Sequence, residues 1–175
     1  AVLLLGGTSV AGSIVYAQRE LRLRALDRAA ADAWEALPQR ADVGAYLRAR
    51  EHLRALTAER PTDDAAQAQL AQVSAALAFE FGGHPSIPAL GAEAQAAGYL
   101  TQGDPSPAAR RAQVYLALLR GDTAAAAKQA AGLGPREGAY HLGLSSLWAG
   151  DPRRAAELLA GGDDDPLRAL WRARA

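Results

Sequence analysis

The chain has no cysteine and no methionine, and Phe, Trp and Tyr together make up only 6% of its 175 residues. Without cysteine it has no disulfide, no thiolate metal site, no cysteine nucleophile and no lipid-modified N-terminal cysteine. A chain that is poor in aromatic residues and rich in alanine is unsuited to a sandwich or barrel and favours closely packed helices.

An excess of either charge is also missing, because 19 basic residues balance 19 acidic ones. No overall field therefore attracts nucleic acid or an anionic membrane surface, and no nucleic-acid-binding module is recognisable. Lys128 is the only lysine among the basic residues, and this preference for arginine is typical of a GC-rich bacterial genome. We expect no nucleic acid among the partners.

Motifs that carry chemistry are absent as well. His52, His84 and His141 do not occur in a metal-ligand spacing such as H-x-x-x-H, and each is expected to have a structural role. Ser145 is not part of a G-x-S-x-G motif, and the Gly-rich stretch 132–138 lacks the strand and the G-K-S/T of a phosphate-binding loop. The sequence predicts no enzyme, no metal and no cofactor.

The chain opens with 17 residues that carry no charge, "AVLLLGGTSVAGSIVYA". As a helix they would cover roughly 25 Å, slightly less than a hydrocarbon core, so we expect a transmembrane helix over 1–17 that extends upstream of Ala1. One alternative is a signal peptide cleaved between Ala17 and Gln18. Another is a buried core or interface helix, and a third is an uncleaved artefact of expression.

Glycine is common in membrane helices, where small residues let neighbouring helices approach closely. We therefore expect this segment to contact the lipid bilayer and to pack against other membrane helices. The small residues predicted to make that packing are Gly6, Gly7, Ser9, Gly12 and Ser13.

Residues 18–37 place apolar side chains at intervals of three and four, which predicts a juxtamembrane helix that docks on the following domain. Since no Pro or Gly separates it from 1–17, one long helix is expected, ending at Pro38.

The rest of the chain, 43–175, reads as a helical repeat domain without β-branched alternation, so the predicted fold class is all-α. Thr62 and Ser106 are expected N-caps, and Asp163, Asp164 and Asp165 are expected to cap the last helix. The predicted helices are 43–59, 63–81, 89–101, 107–120, 123–132, 136–149, 152–160 and 166–174.

An internal repeat appears when the chain is shifted so that 118–132 aligns with 147–161. The pair Gly121-Asp122 then meets Gly150-Asp151. Gly can take the left-handed conformation that ends a helix, and Asp can cap the next helix. The terminal glycines Gly132 and Gly161 are expected to end the second helix in the same way. This pattern predicts repeated antiparallel helix hairpins, the unit of an α-solenoid.

The segment "LGLSSLWAGDPRRAAELL" (142–159) resembles the tetratricopeptide repeat family. Leu142 and Gly143 fit the Leu-Gly pair of the family's first helix, Gly150 fits the turn, and Ala155 fits the small residue of the second helix. The match is partial, because the family repeat is usually about 34 residues long and the spacing here is shorter. The earlier copy also has Val114 where Gly143 stands.

The resemblance implies a scaffold that binds other proteins on a concave face lined by the first helix of each repeat. Leu118 and Leu147 on these helices are expected to be core residues. The residues that the register of the resemblance assigns to partner binding are Arg111, Tyr115, Leu119, Tyr140, Leu144 and Trp148.

These features predict a membrane-anchored helical-repeat scaffold, an accessory or assembly subunit of a larger membrane protein complex. Its partners would be other protein subunits, themselves membrane proteins. The expected location is a bacterial inner membrane with a single span, with the periplasmic side favoured for the repeat domain and the cytoplasmic side left open. The alternative is a secreted or periplasmic soluble repeat module released by cleavage near Ala17.

Overall fold

The computed structural model describes residues 2–37, 42–82, 90–160 and 166–175. In these residues the chain forms nine α-helices and no strand. They are α1 (Val2–Glu35), α2 (Val43–Glu59), α3 (Asp64–Glu80), α4 (Leu90–Leu100), α5 (Pro107–Leu119), α6 (Thr123–Ala130), α7 (Pro135–Trp148), α8 (Pro152–Leu159) and α9 (Pro166–Arg174).

The helices pack mainly against their neighbours in the chain, from α1 with α2 to α8 with α9. Helices of different hairpins also pack together, most extensively α3 on α5, and α5 contacts α7 as well. This arrangement confirms the all-α prediction and is consistent with a helical repeat fold.

The turn between the two helices of each repeat has the predicted construction. Gly121 and Gly150 have φ angles of 75° and 81°, which side chains with a Cβ adopt at a cost. Asp122 Oδ1 then accepts a hydrogen bond from the Ala125 amide at 2.9 Å, and Asp151 Oδ1 accepts one from the Arg154 amide at 3.0 Å. The same Gly-Asp pair therefore builds both turns.

Close approach within the last hairpin depends on Gly143. A Cβ at this position would lie 2.7 Å from Cγ of Leu159, which is fully buried on α8. Ala155, the small residue on the facing helix, is also fully buried. The residues that carry the resemblance thus let α7 and α8 pack closely.

Two details of the predicted helix ends were wrong. Asp63, not Thr62, is the N-cap of α3, because its carboxylate accepts the Ala66 amide hydrogen bond at 3.0 Å. Gly132 follows α6 without a positive φ angle, since the chain leaves that helix through right-handed Ala131. Ser106 caps α5 as predicted, while Gly161 and Asp163–Asp165 lie outside the described residues.

The predicted continuous N-terminal helix is observed as α1, which runs without interruption from Val2 to Glu35. Its C-terminal half docks on the domain through buried Ala30, and Asp27 accepts a hydrogen bond from Arg60 at 2.8 Å. Leu37, just after the helix, is buried in the same cluster. Residues 13–19 are exposed instead, so this stretch of α1 does not pack on the domain.

Within the described residues, none of the helices combines the length and the apolar character that crossing a membrane requires. The predicted transmembrane role of 1–17 is therefore not supported by α1 as the structure describes it. Ser13 is exposed, and the side-chain surroundings of Gly6, Gly7, Ser9 and Gly12 lie outside the described part of the chain.

Candidate functional site

A groove of about 610 Å³ runs across the helices that carry most of the predicted partner-binding residues. Side chains from α2, α3, α5, α7 and α9 line it, together with the end of α1. The lining residues are Trp34, Leu37, Tyr46, Gln72, Arg111, Tyr115, Arg136, Glu137, Tyr140, His141 and Arg168.

Three of the six residues predicted to bind a partner meet in this groove: Arg111, Tyr115 and Tyr140. They come from two first helices, α5 and α7, whose packing against each other places the three side chains on one wall. The register taken from the resemblance therefore identified residues that line one groove, although Tyr115 and Tyr140 expose only 4% and 8% of their surface and also belong to the hydrophobic core.

Leu144 does not belong to that surface. Its side chain is fully buried between the helices. Leu118 of the previous repeat is also buried, with only 2% of its surface exposed. An apolar side chain on the inner face of α7 fills the core, so Leu144 is a packing residue and offers nothing to a partner.

Leu119 and Trp148 are exposed by 41% and 42% but do not line the groove. Trp148 packs instead in an aromatic cluster, with its ring centroid 4.6 Å from Phe79 and 5.1 Å from Trp171. One face of Trp148 is therefore used to hold α7 against α3 and α9.

Arg111 spans the groove between two helices. Its Nη2 donates to Oε1 of Glu137 at 2.6 Å and its Nε donates to Oε2 of the same carboxylate at 3.2 Å, while Nη1 donates to Oε1 of Gln72 at 3.2 Å. A two-pronged contact of this kind fixes both partners, since the guanidinium and the carboxylate are planar. Arg111 therefore links α5 to α3 and α7 and also lines the binding surface.

Arg168 of α9 closes one side of the groove, although it is only 5% exposed. Its Nη2 donates to the backbone carbonyl of Arg136 at 2.7 Å, and its guanidinium lies 5.6 Å from the ring centroid of Tyr140. The buried charge is thus placed against an acceptor and an aromatic ring.

His141 lies on the floor of the groove. Its Nδ1 is 2.9 Å from the carbonyl oxygen of Glu137, so Nδ1 carries the proton and donates. Burial lowers the pKa of His141 to about 4, and the nearby guanidiniums of Arg111 and Arg168 act in the same direction. The ring is therefore neutral at pH 7.

Glu80, at the end of α3, joins the groove wall to the C-terminal helix. It accepts hydrogen bonds from the Tyr140 hydroxyl at 2.9 Å and from the Trp171 indole at 2.6 Å. Tyr115 lies near the same carboxylate, and burial, followed by Tyr140 and Glu80, raises the pKa of Tyr115 well above its usual value. The Tyr115 hydroxyl therefore keeps its proton at neutral pH.

The sequence did not indicate that Trp34, Gln72, Arg136 and Arg168 contribute to the groove. Trp34, Gln72 and Arg168 lie on other helices, which only tertiary packing brings together with α5 and α7. Arg136 lies on α7 itself, ahead of the segment 142–159 that carries the resemblance. The apolar spacing of 18–37 predicted that Trp34 faces the domain, but it gave no sign of which surface it would reach.

The remaining candidates do not form a chemical centre in the described part of the chain, where no group of His, Asp or Glu side chains could hold a metal ion. His52 is half-buried on α2, away from the groove lining. His84 lies outside the described residues.

Comparisons with known protein families, with curated proteins and with solved structures found no significant match to this chain.

Proposed function

We propose that this chain is a helical-repeat scaffold that binds an acidic segment of a partner protein in the groove, as an accessory or assembly subunit of a larger complex. The observation that carries the proposal is the placement of Arg111, Tyr115 and Tyr140, from two successive repeats, in one groove. The tetratricopeptide-like register assigns partner binding to these positions. The proposed role includes no catalytic activity of the chain itself.

Charge complementarity selects the kind of segment. Three arginines, Arg111, Arg136 and Arg168, and one acidic residue, Glu137, line the groove. His141 adds no charge at pH 7, because its pKa is about 4. Guanidiniums bind carboxylates well, and complementary potentials raise both the association rate and the selectivity.

Peptide selection from a random display library tests the groove. The wild-type chain should select peptides rich in Asp and Glu, and raised salt should weaken their binding. Arg136→Glu should weaken it by about tenfold, or ~1.4 kcal/mol, because Arg136 is exposed and lines the groove.

The matched control is Arg153→Glu, the same charge change at an exposed position of α8 outside the groove lining. It should bind the selected peptides like the wild type. Equal losses in the two variants, or selected peptides without an excess of acidic residues, would contradict the proposal.

A finer part of the proposal is that the N-terminal half of α1 attaches the scaffold to a bacterial inner membrane, with the repeat domain on the periplasmic side. Residues 2–17 carry no charge, and Ile14, Val15 and Tyr16 are exposed by 53%, 65% and 72%. Because these side chains do not pack on the domain, they are available for lipid or for membrane helices.

Flotation with vesicles of phosphatidylethanolamine and phosphatidylglycerol tests this attachment. The wild-type chain should float with the vesicles, and the double variant Ile14→Asp with Val15→Asp should not, because charge in an apolar segment opposes insertion. A wild-type chain that stays at the bottom of the gradient would refute membrane attachment. A mature protein that begins at Gln18 would instead establish the secreted or periplasmic alternative.

A further inference from the structure

The Nε2 atom of His141, which lines the groove, is buried and has no hydrogen-bond partner. The side chain is only 4% exposed. Its other ring nitrogen, Nδ1, already donates to the carbonyl oxygen of Glu137 one helical turn earlier. Nε2 therefore lies on the side of the ring that faces away from the backbone of α7.

The protonation state fixes what Nε2 can accept. In a neutral imidazole with its proton on Nδ1, Nε2 is an acceptor and offers no hydrogen. A buried acceptor without a donor carries a free-energy penalty, which a ligand removes if it brings a donor. The site thus favours a ligand with an O–H or N–H group.

The surroundings of the imidazole are aromatic. The ring centroids of Tyr115 and Tyr140 lie 5.4 Å and 5.1 Å from that of His141, both in edge-on arrangements. Trp34 and Tyr46 line the same groove. Rings that meet edge to face accept a further aromatic ring among them at a gain in free energy.

We propose that the floor of the groove is a subsite for an aromatic side chain that bears a polar hydrogen, which it donates to Nε2 of His141. The phenol of a tyrosine and the indole of a tryptophan share this chemistry. The inference rests on the proposed function, because the side chain would belong to the acidic partner segment that the arginines bind.

Entry to the subsite requires a small rearrangement. Nε2 is covered in this structure, so a donor reaches it only after a lining side chain changes rotamer. The free energy of that rearrangement is lost from the binding free energy of any probe. Affinity for a small probe is therefore expected in the millimolar range.

Paired small-molecule probes test the hydrogen bond in the full chain. Phenol is compared with anisole and indole with 1-methylindole, each pair differing by the polar hydrogen, while ¹⁵N NMR follows the imidazole nitrogens of His141. We expect phenol or indole, but not its methylated analogue, to shift the Nε2 resonance. A larger shift with phenol would indicate a tyrosine side chain in the partner, and a larger shift with indole would indicate a tryptophan side chain.

The variant His141→Phe keeps a ring of similar shape but has no acceptor, and should bind each probe and its methylated analogue equally. The proposal is overturned if wild-type Nε2 responds to neither donor or responds equally to the methylated probes. It is also overturned if Nε2 is already hydrogen-bonded to water and no probe displaces it. These outcomes leave the acidic-peptide selection untouched, so the two proposals fail separately.

Discussion

Glu80→Ala should lower the free energy of unfolding by about 4 kcal/mol, because it leaves two buried donors without their acceptor. The donors are the hydroxyl of Tyr140 and the indole N–H of Trp171, in side chains only 8% and 5% exposed. Since Glu80 belongs to α3, Tyr140 to α7 and Trp171 to α9, the loss also loosens the contact between the last repeat and the preceding helices.

Urea denaturation followed by circular dichroism measures the effect. Glu80→Gln should lose less than Glu80→Ala, because the amide keeps one acceptor oxygen. Glu157→Ala is the matched control, since Glu157 forms an exposed pair with Arg154 and should change the stability by less than about 0.5 kcal/mol. A loss below about 1 kcal/mol for Glu80→Ala would show that this carboxylate does not hold the helices together.

Acid should destabilise the fold through His141. Its pKa is about 4 in the folded chain and about 6.5 when exposed, so the unfolded chain takes up the proton first as the pH falls. Stability is therefore complete above pH 6.5 and is lost progressively down to about pH 4, by roughly 3 kcal/mol.

The groups that face the imidazole explain the direction. Burial is the main cause, and Arg111 of α5 and Arg168 of α9 repel the charged ring. Glu137 of α7 opposes them through its carbonyl oxygen and its charge, while the rings of Tyr115 and Tyr140 lie edge-on to the imidazole. The effect of Glu137 is smaller than the effect of burial, so the pKa of His141 falls.

Stability measured in urea at pH 7 and pH 4.5 tests this prediction. His141→Phe, which has no titrating group, should lose less stability than the wild type over this range. His52→Gln, on α2 and outside the groove lining, should keep the wild-type loss. If His141→Phe and the wild type lose the same amount, the acid sensitivity comes from other groups.

Local signals in the sequence were sufficient for most of the helix ends. The Gly-Asp pairs at 121–122 and 150–151 predicted both turns, because positive φ and side-chain capping are properties of single residues. Ser106 followed by Pro107 predicted the start of α5 for the same reason. The prediction for Thr62 was wrong because the neighbouring Asp63 caps α3 instead.

The groove could be predicted only in part. The repeat register places Arg111, Tyr115 and Tyr140 on first helices, and these residues do line one groove. Register alone cannot separate Leu144, which points into the core, from its neighbours that face the groove. The contributions of Trp34 and Arg168 depend on how helices that are distant in the chain pack together. A local pattern in a single sequence does not predict that packing.

Site-specific photo-crosslinking in cells of the protein's own organism tests most directly whether the groove binds a partner. Benzoylphenylalanine is placed at Arg136, which lines the groove, or at Arg153, which is exposed on α8. We expect one crosslinked protein from position 136 and none from 153, with more Asp and Glu than Lys and Arg in the crosslinked segment. Equal crosslinking from both positions, or a segment without that acidic excess, would contradict the proposed binding.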